Sequence, residues 1–179
     1  MRVIETERLA LRWLEASDAG FMLELMNDPG WLRYIGDRGI RSVADARKYI
    51  EDGPREMYAR LGVGLYMVEL REGGAGLGIC GLVRRDWLED VDLGFAFLAK
   101  FRGWGYAYEA AAATLDFGRS TLHLRRIAAI VTPENRDSVR LLEKLGFRLE
   151  RMATPPLETR AVCVMALPLD TTAVRADES

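Results

Sequence analysis

Apolar residues recur along this chain in two rhythms, and each change of rhythm marks a new element. Leu9, Leu11 and Trp13 alternate with Ala10, Arg12 and Leu14, a period of two that predicts a first strand. Ser17 then stands where a helix N-cap belongs. Phe21, Met22, Leu25 and Met26 follow at helical spacing until Asp28-Pro29-Gly30 breaks the helix. Ser42 is the expected cap of a second short helix, from Val43 to about Ile50. Between these helices, Trp31 to Ile40 mixes aromatics with Gly36 and Gly39, and reads as a loop that either faces substrate or simply connects.

Leu65 to Leu70 and Gly78 to Arg84 are apolar runs separated by Glu72-Gly73-Gly74, the pattern of a hairpin. In the strand predicted over Val91 to Leu98, Val91, Leu93, Phe95 and Phe97 share one face, and Asp92, Gly94, Ala96 and Leu98 the other. A helix is expected from Tyr106 to Gly118, its Ala110 to Ala113 run suited to close packing on a sheet. Arg126 to Val131 predicts a buried strand, and a helix from about Asn135 stops at Gly146. Phe147 to Glu150 and Ala161 to Leu167 complete the strands, the Val162 to Leu167 run offering an edge for a homodimer. The elements follow no strict βαβ rhythm, so the expected fold is α/β: a mixed sheet of about seven strands flanked by helices. One domain over residues 1–167 is expected, followed by a frayed tail over 168–179.

Composition narrows the class. Apolar residues make up 49% of the 179 and charged residues 29%, ordinary for a globular enzyme with a substantial core. A net charge of -2 provides no global field for nucleic acid. Arg2, Glu5, Glu7, Arg8 and Arg12 leave no apolar stretch for a signal peptide, and no run approaches the roughly 20 apolar residues that span a bilayer. A cytoplasmic protein without membrane contact is expected. Cys80 and Cys163 lie in apolar runs and read as small buried hydrophobes, although a disulfide between them stays open. One histidine and two distant cysteines make no metal cage, so no metal is expected.

The chemistry concentrates at Phe101-Arg102-Gly103-Trp104-Gly105-Tyr106-Ala107, where a strand ends, a glycine turn follows and a helix starts. Unpaired N–H groups at such a start suit a phosphate or pyrophosphate. Gly103 and Gly105 let backbone approach a ligand, and Arg102 adds positive charge. A plain strand–turn–helix connection would use the same glycines.

That turn is followed by Pro133-Glu134-Asn135-Arg136-Asp137-Ser138 and by Leu142-Glu143-Lys144-Leu145-Gly146-Phe147. The three segments in this order resemble the GNAT family of N-acetyltransferases, from about Ile4 to Leu167. The opening Glu5-Thr6-Glu7-Arg8-Leu9-x-Leu11-Arg12 and the Asp28-Pro29 helix end are similar to the branch of ribosomal-protein alanine N-acetyltransferases. The resemblance implies a sheet splayed at a cleft for acetyl-CoA. Main-chain amides of Arg102, Gly103, Trp104, Gly105, Tyr106 and Ala107 would hold the pyrophosphate, and the strand end at Phe97 and Leu98 would pair with the pantetheine arm. Asn135 would contact the cofactor arm, cap its helix, or both.

Transfer to a primary amine, of a protein N-terminus or a small molecule, requires the ammonium form to lose a proton. Asp92 stands where many relatives carry a glutamate base, and it is either that base or a solvated strand-edge carboxylate; Glu89 is the second choice. Many relatives place a tyrosine acid where this chain has Leu142, which donates nothing. Ser138, one turn after Asn135, is either that acid or a helix-surface hydrogen-bonding residue, and a thiolate can also leave without a dedicated acid. His123 reads as a surface residue. Trp31, Tyr34 and Trp87 either line a substrate pocket or pack. Acidic Glu51, Asp52 and Glu56 either attract a cationic acceptor or form a solvated helix face. The leucine at position 142 also leaves open a CoA-binding sensor without efficient catalysis.

Overall fold

The structure is a computed structural model describing residues 1–169. Most of the expected tail lies outside these residues, but its first two positions are ordered: Pro168 ends the last strand, and Leu169 is buried with its amide donating to the Arg125 carbonyl at 2.8 Å.

Eight strands form one sheet: β1 (Arg2–Glu5), β2 (Leu9–Arg12), β3 (Leu65–Leu70), β4 (Gly76–Val83), β5 (Asp92–Phe97), β6 (Arg126–Val131), β7 (Arg148–Ala153) and β8 (Val162–Pro168). Their order is β1-β2-β3-β4-β5-β6-β8-β7, antiparallel except between β5 and β6. The sequence pattern lacked β1, which is short and largely polar and gains its strand from pairing with β2. It also placed β8 at an edge; β8 instead runs between β6 and β7, and its apolar residues are covered, so the free edge on this side is β7.

Helices cover both faces: α1 (Ala19–Met26), α2 (Pro29–Tyr34), α3 (Val43–Ile50), α4 (Glu56–Leu61), α5 (Tyr106–Ser120) and α6 (Arg136–Lys144). On one face Ala110, Ala111 and Leu115 of α5 pack on Leu11, Leu77, Leu82 and Leu93. On the other, Met22, Leu25, Met26 and Ile50 close over Leu14, Met67, Ile79 and Leu98. Each fully buried Leu, Met or Ile in these layers contributes about 1.5–3 kcal/mol relative to exposure.

Three local expectations change. Ser17 is not the cap before α1: Asp18 takes the Glu15 amide at 2.8 Å and is itself gripped by Arg12 at 2.8 and 2.9 Å. The stretch from Trp31 to Ile40 is not all loop, because Asp28 caps Gly30 at 2.8 Å and starts α2. After α3, which begins with the expected Ser42 cap, a π-helical stretch over Glu51–Arg55 leads into α4. Gly53 and Pro54 hide that continuation from a helix reading.

One feature of the sheet positions the site. β5 and β6 are bridged only at Asp92 opposite Ala128, the Ala128 amide donating to the Val91 carbonyl at 2.9 Å. Beyond Asp92 the two parallel strands part.

Candidate active site

The glycine turn opens the site. Gly103 and Gly105 both have φ +82°, a left-handed conformation that favours glycine. The first bond of α5 runs from the Glu109 amide to the Gly105 carbonyl at 3.0 Å. Among the described residues, the amides of Gly103 to Tyr108 have no hydrogen-bond acceptor, so they are free to take one. Trp104 is exposed; Gly103, Gly105, Tyr106 and Ala107 line the adjoining cavity.

Arg102 differs from its expected role. Its amide donates to Ala99 at 3.2 Å, its Nε donates to the Phe97 carbonyl at 3.0 Å, and its Nη2 donates to Asp28 Oδ1 at 2.7 Å. The guanidinium is therefore a brace that fixes the turn against α2, rather than a free charge above it. A second brace comes from the N-terminal hairpin. Arg8 bonds Glu109 through Nε at 2.6 Å, donates to the Trp104 carbonyl at 3.0 Å and lies over the Tyr106 ring. Thr6 also donates to Glu109, at 2.6 Å. The Glu5 to Arg12 motif thus secures the start of α5 from a distance.

The expected backbone edge also shifts by one register. The Leu98 amide donates to Leu77 at 3.0 Å and its carbonyl accepts from Phe101 at 3.0 Å, so both its groups are already used. The antiparallel alternation then turns the main-chain groups of Phe95 and Phe97 toward the gap beside β6. The Phe97 carbonyl is held by Arg102, which leaves Phe95 as the most open part of that edge.

Two cavities flank it. One, of about 520 Å³, runs beside the turn and includes Phe97, Tyr106 and Leu141. The other, of about 490 Å³, lies against Asp92, Arg85, Trp87 and Leu142. Trp31, Tyr34, Phe95, Ala96, Asn135 and Ser138 contribute to both walls, so the cavities meet at the splay.

Asp92 is only 1% exposed and receives Arg85 Nε at 2.9 Å, so it is not a solvated edge carboxylate. Burial pushes its carboxyl pKa up, and the charge and hydrogen bond of Arg85 only partly oppose this. Asn135 caps α6, its side-chain oxygen accepting from the Ser138 amide at 3.3 Å. Ser138 is half-buried in the shared wall, while Leu142 is buried and offers no proton. Glu89 and His123 line neither cavity; His123 is exposed with φ 53°. Glu51, Asp52 and Glu56 are exposed outside both cavities, and the last two pair with Lys48 and Arg60.

Sequence reasoning missed Arg38, Tyr49 and Arg85 in the wall beside Asp92. Only proximity in the folded chain links them, and no local motif marks them. Among the described residues, no cluster of His, Cys, Asp and Glu could hold a metal, and no helix is long and apolar enough to cross a membrane.

Comparison with known proteins agrees with this architecture. The acetyltransferase (GNAT) domain family matches residues 8–148. The uncharacterized N-acetyltransferase p20 of Bacillus licheniformis is 31% identical over 154 residues, covering 84% of each chain. A GNAT-family acetyltransferase from Bacillus anthracis superposes with a TM-score of 0.78 at 28% identity, over 94% of this chain and 98% of that one. RimL, a ribosomal L7/L12 α-N-protein acetyltransferase solved with coenzyme A, shares the fold with a TM-score of 0.80 at 16% identity, over 95% and 99%. On this evidence the chain belongs to the GNAT acetyltransferase family and is an acyltransferase.

Proposed function

We propose that the protein transfers the acetyl group of acetyl-CoA to a primary amine, of a small molecule or a protein N-terminus, by direct attack with both substrates bound. The observation that carries this reading is the meeting of two cavities at the open edge of β5, one beside free helix-start amides and the other beside a buried carboxylate. The residues beside the turn fit the co-substrate: the amides from Gly103 to Tyr108 suit its pyrophosphate, and positive φ at Gly105 keeps them uncovered. The unpaired edge at Phe95 suits the amides of an extended arm. Acetyl-CoA supplies an activated acyl carbonyl there.

The chain's own groups handle the protons. Asp92, directly or through a water, takes a proton from the ammonium form of the acceptor, and its raised affinity for protons suits that task. The neutral nitrogen then forms the new C–N bond with its lone pair as the C–S bond breaks. Ser138 returns a proton to the departing thiolate in this reading, a role supported by its hydroxyl and its position in the shared wall and closed to Leu142.

Purified protein supplied with acetyl-CoA and a broad panel of amines should release free thiol in an amine-dependent manner. Tight CoA binding with no thiol release on any amine would overturn the reading in favour of a sensor.

A further inference from the structure

Two arginines, Arg38 and Arg85, stand in the wall of the cavity against Asp92, where Asp92 and Glu158 are the carboxylates. Arg38 pairs with no carboxylate among the described residues. Its loop is nonetheless pinned. The Trp31 indole donates to the Gly36 carbonyl at 3.1 Å, and Asn27 donates to the Ile40 carbonyl at 3.0 Å. Asp37 beside it is taken by Arg41 and the Gly39 amide. Arg85 uses its Nε on Asp92 at 2.9 Å, and its terminal nitrogens have no acceptor among the described residues. Both guanidinium groups act on one point: burial pushes the Tyr49 phenol pKa up, and the charges of Arg38 and Arg85 pull it back. The other carboxylate of the wall, Glu158, belongs to the loop between β7 and β8.

Resting on the acyl-transfer reading above, we propose that the acceptor is a small amine that also carries a carboxylate, an amino acid or close relative, gripped by Arg38 and Arg85 beside Tyr49. The planar guanidinium fork matches a carboxylate and is weakly hydrated, so it binds this group better than a lysine would. Arg85 and Asp92, 2.9 Å apart, form adjacent opposite charges that complement a zwitterion: ammonium toward Asp92, carboxylate toward the guanidinium groups. Trp31, Tyr34 and Trp87 supply an apolar wall for a side chain. Gly53, Pro54 and Met57 wall the cavity from the α3–α4 region, and about 490 Å³ is the space of a small ligand.

The test compares the twenty common amino acids with their amides as acceptors, reading thiol release from acetyl-CoA. At least one free acid should exceed its amide by 10-fold or more in kcat/KM, and Arg38→Gln should shrink that preference at least fivefold. A second readout needs no turnover: thermal shift of the protein alone with each N-acetyl amino acid and its amide, the acid stabilising more. Amides equal to or better than acids in both assays would overturn the proposal. So would a marked preference for peptides with acidic N-terminal residues over free amino acids. Absence of thiol release with every amine would sink the transferase reading instead, and the N-acetyl pairs would still decide this one.

Discussion

Asp28 and Arg102, 74 residues apart in sequence, are joined at 2.7 Å between Oδ1 and Nη2, and this pair locks the glycine turn to the start of α2. Asp28 is buried and also accepts from the amides of Gly30 at 2.8 Å and Ala99 at 3.1 Å. Gly30 makes room for the contact: a Cβ there would stand 2.7 Å from the arginine Nη2. One carboxylate therefore caps a helix, holds the loop after β5 and neutralises the arginine beside it.

Replacing Asp28 with alanine should cost about 2–3 kcal/mol, from a lost cap and lost charge-assisted bonds, and should weaken CoA binding although Asp28 lines neither cavity. Denaturant melts and calorimetry with CoA read the two effects. Burial opposes the charged form of Asp28, but bonds from Arg102, Gly30 and Ala99 outweigh it and hold its pKa below the usual value. The sign follows: a depressed folded pKa contributes stability that is present above the unfolded value of about 4 and lost as pH falls through the folded one. Asp28→Asn should flatten that acid loss. An unchanged acid melt would contradict this role.

Gly105 carries φ +82°, and an added Cβ would meet Arg8 Nη2 at 3.4 Å. A side chain in that conformation costs about 1–2 kcal/mol and would shift the helix-start amides. Gly105→Glu adds negative charge at the same point. CoA affinity should drop roughly 10- to 100-fold, measured by calorimetry, with the fold retained by circular dichroism. Wild-type affinity would remove the proposed cradle.

Asp92→Asn should lower kcat by about 10²- to 10⁴-fold, the usual contribution of a positioned base, while CoA binding persists. Because burial raises the Asp92 pKa, the acid limb of kcat/KM should lie above the ordinary carboxylate value of about 3.9. Rate rises with pH as this carboxyl ionises. In the asparagine variant that limb should vanish; a limb that stayed in place would assign the proton to another group.

Cys80 is fully buried, 3.5 Å from the Thr114 hydroxyl, and burial pushes its thiol pKa up to about 12. It should resist a disulfide reagent in the native protein at neutral pH, where almost no thiolate exists. Both cysteines are free, and Cys163 is only half-buried, so it should react first. Thiol titration before and after denaturation should show Cys80 appearing only on unfolding.

The sequence alone determined what depends on neighbours in the chain. Ser42 before Val43 capped a helix as expected, and Asn135 satisfied the Ser138 amide three residues on. The two glycines announced a turn before α5, because a left-handed backbone and an unfilled helix start are local demands. Alternation in β5 likewise put Asp92 on the face that bears Ala96. Tertiary structure decided what depends on long-range desolvation and charge. It gave Arg102 to Asp28 rather than to the turn, set β8 inside the sheet, and brought Arg38 and Tyr49 to the cavity that holds Asp92. A charge leaving water takes the partner that the packed chain brings within reach, and periodicity along a sequence carries no record of that choice.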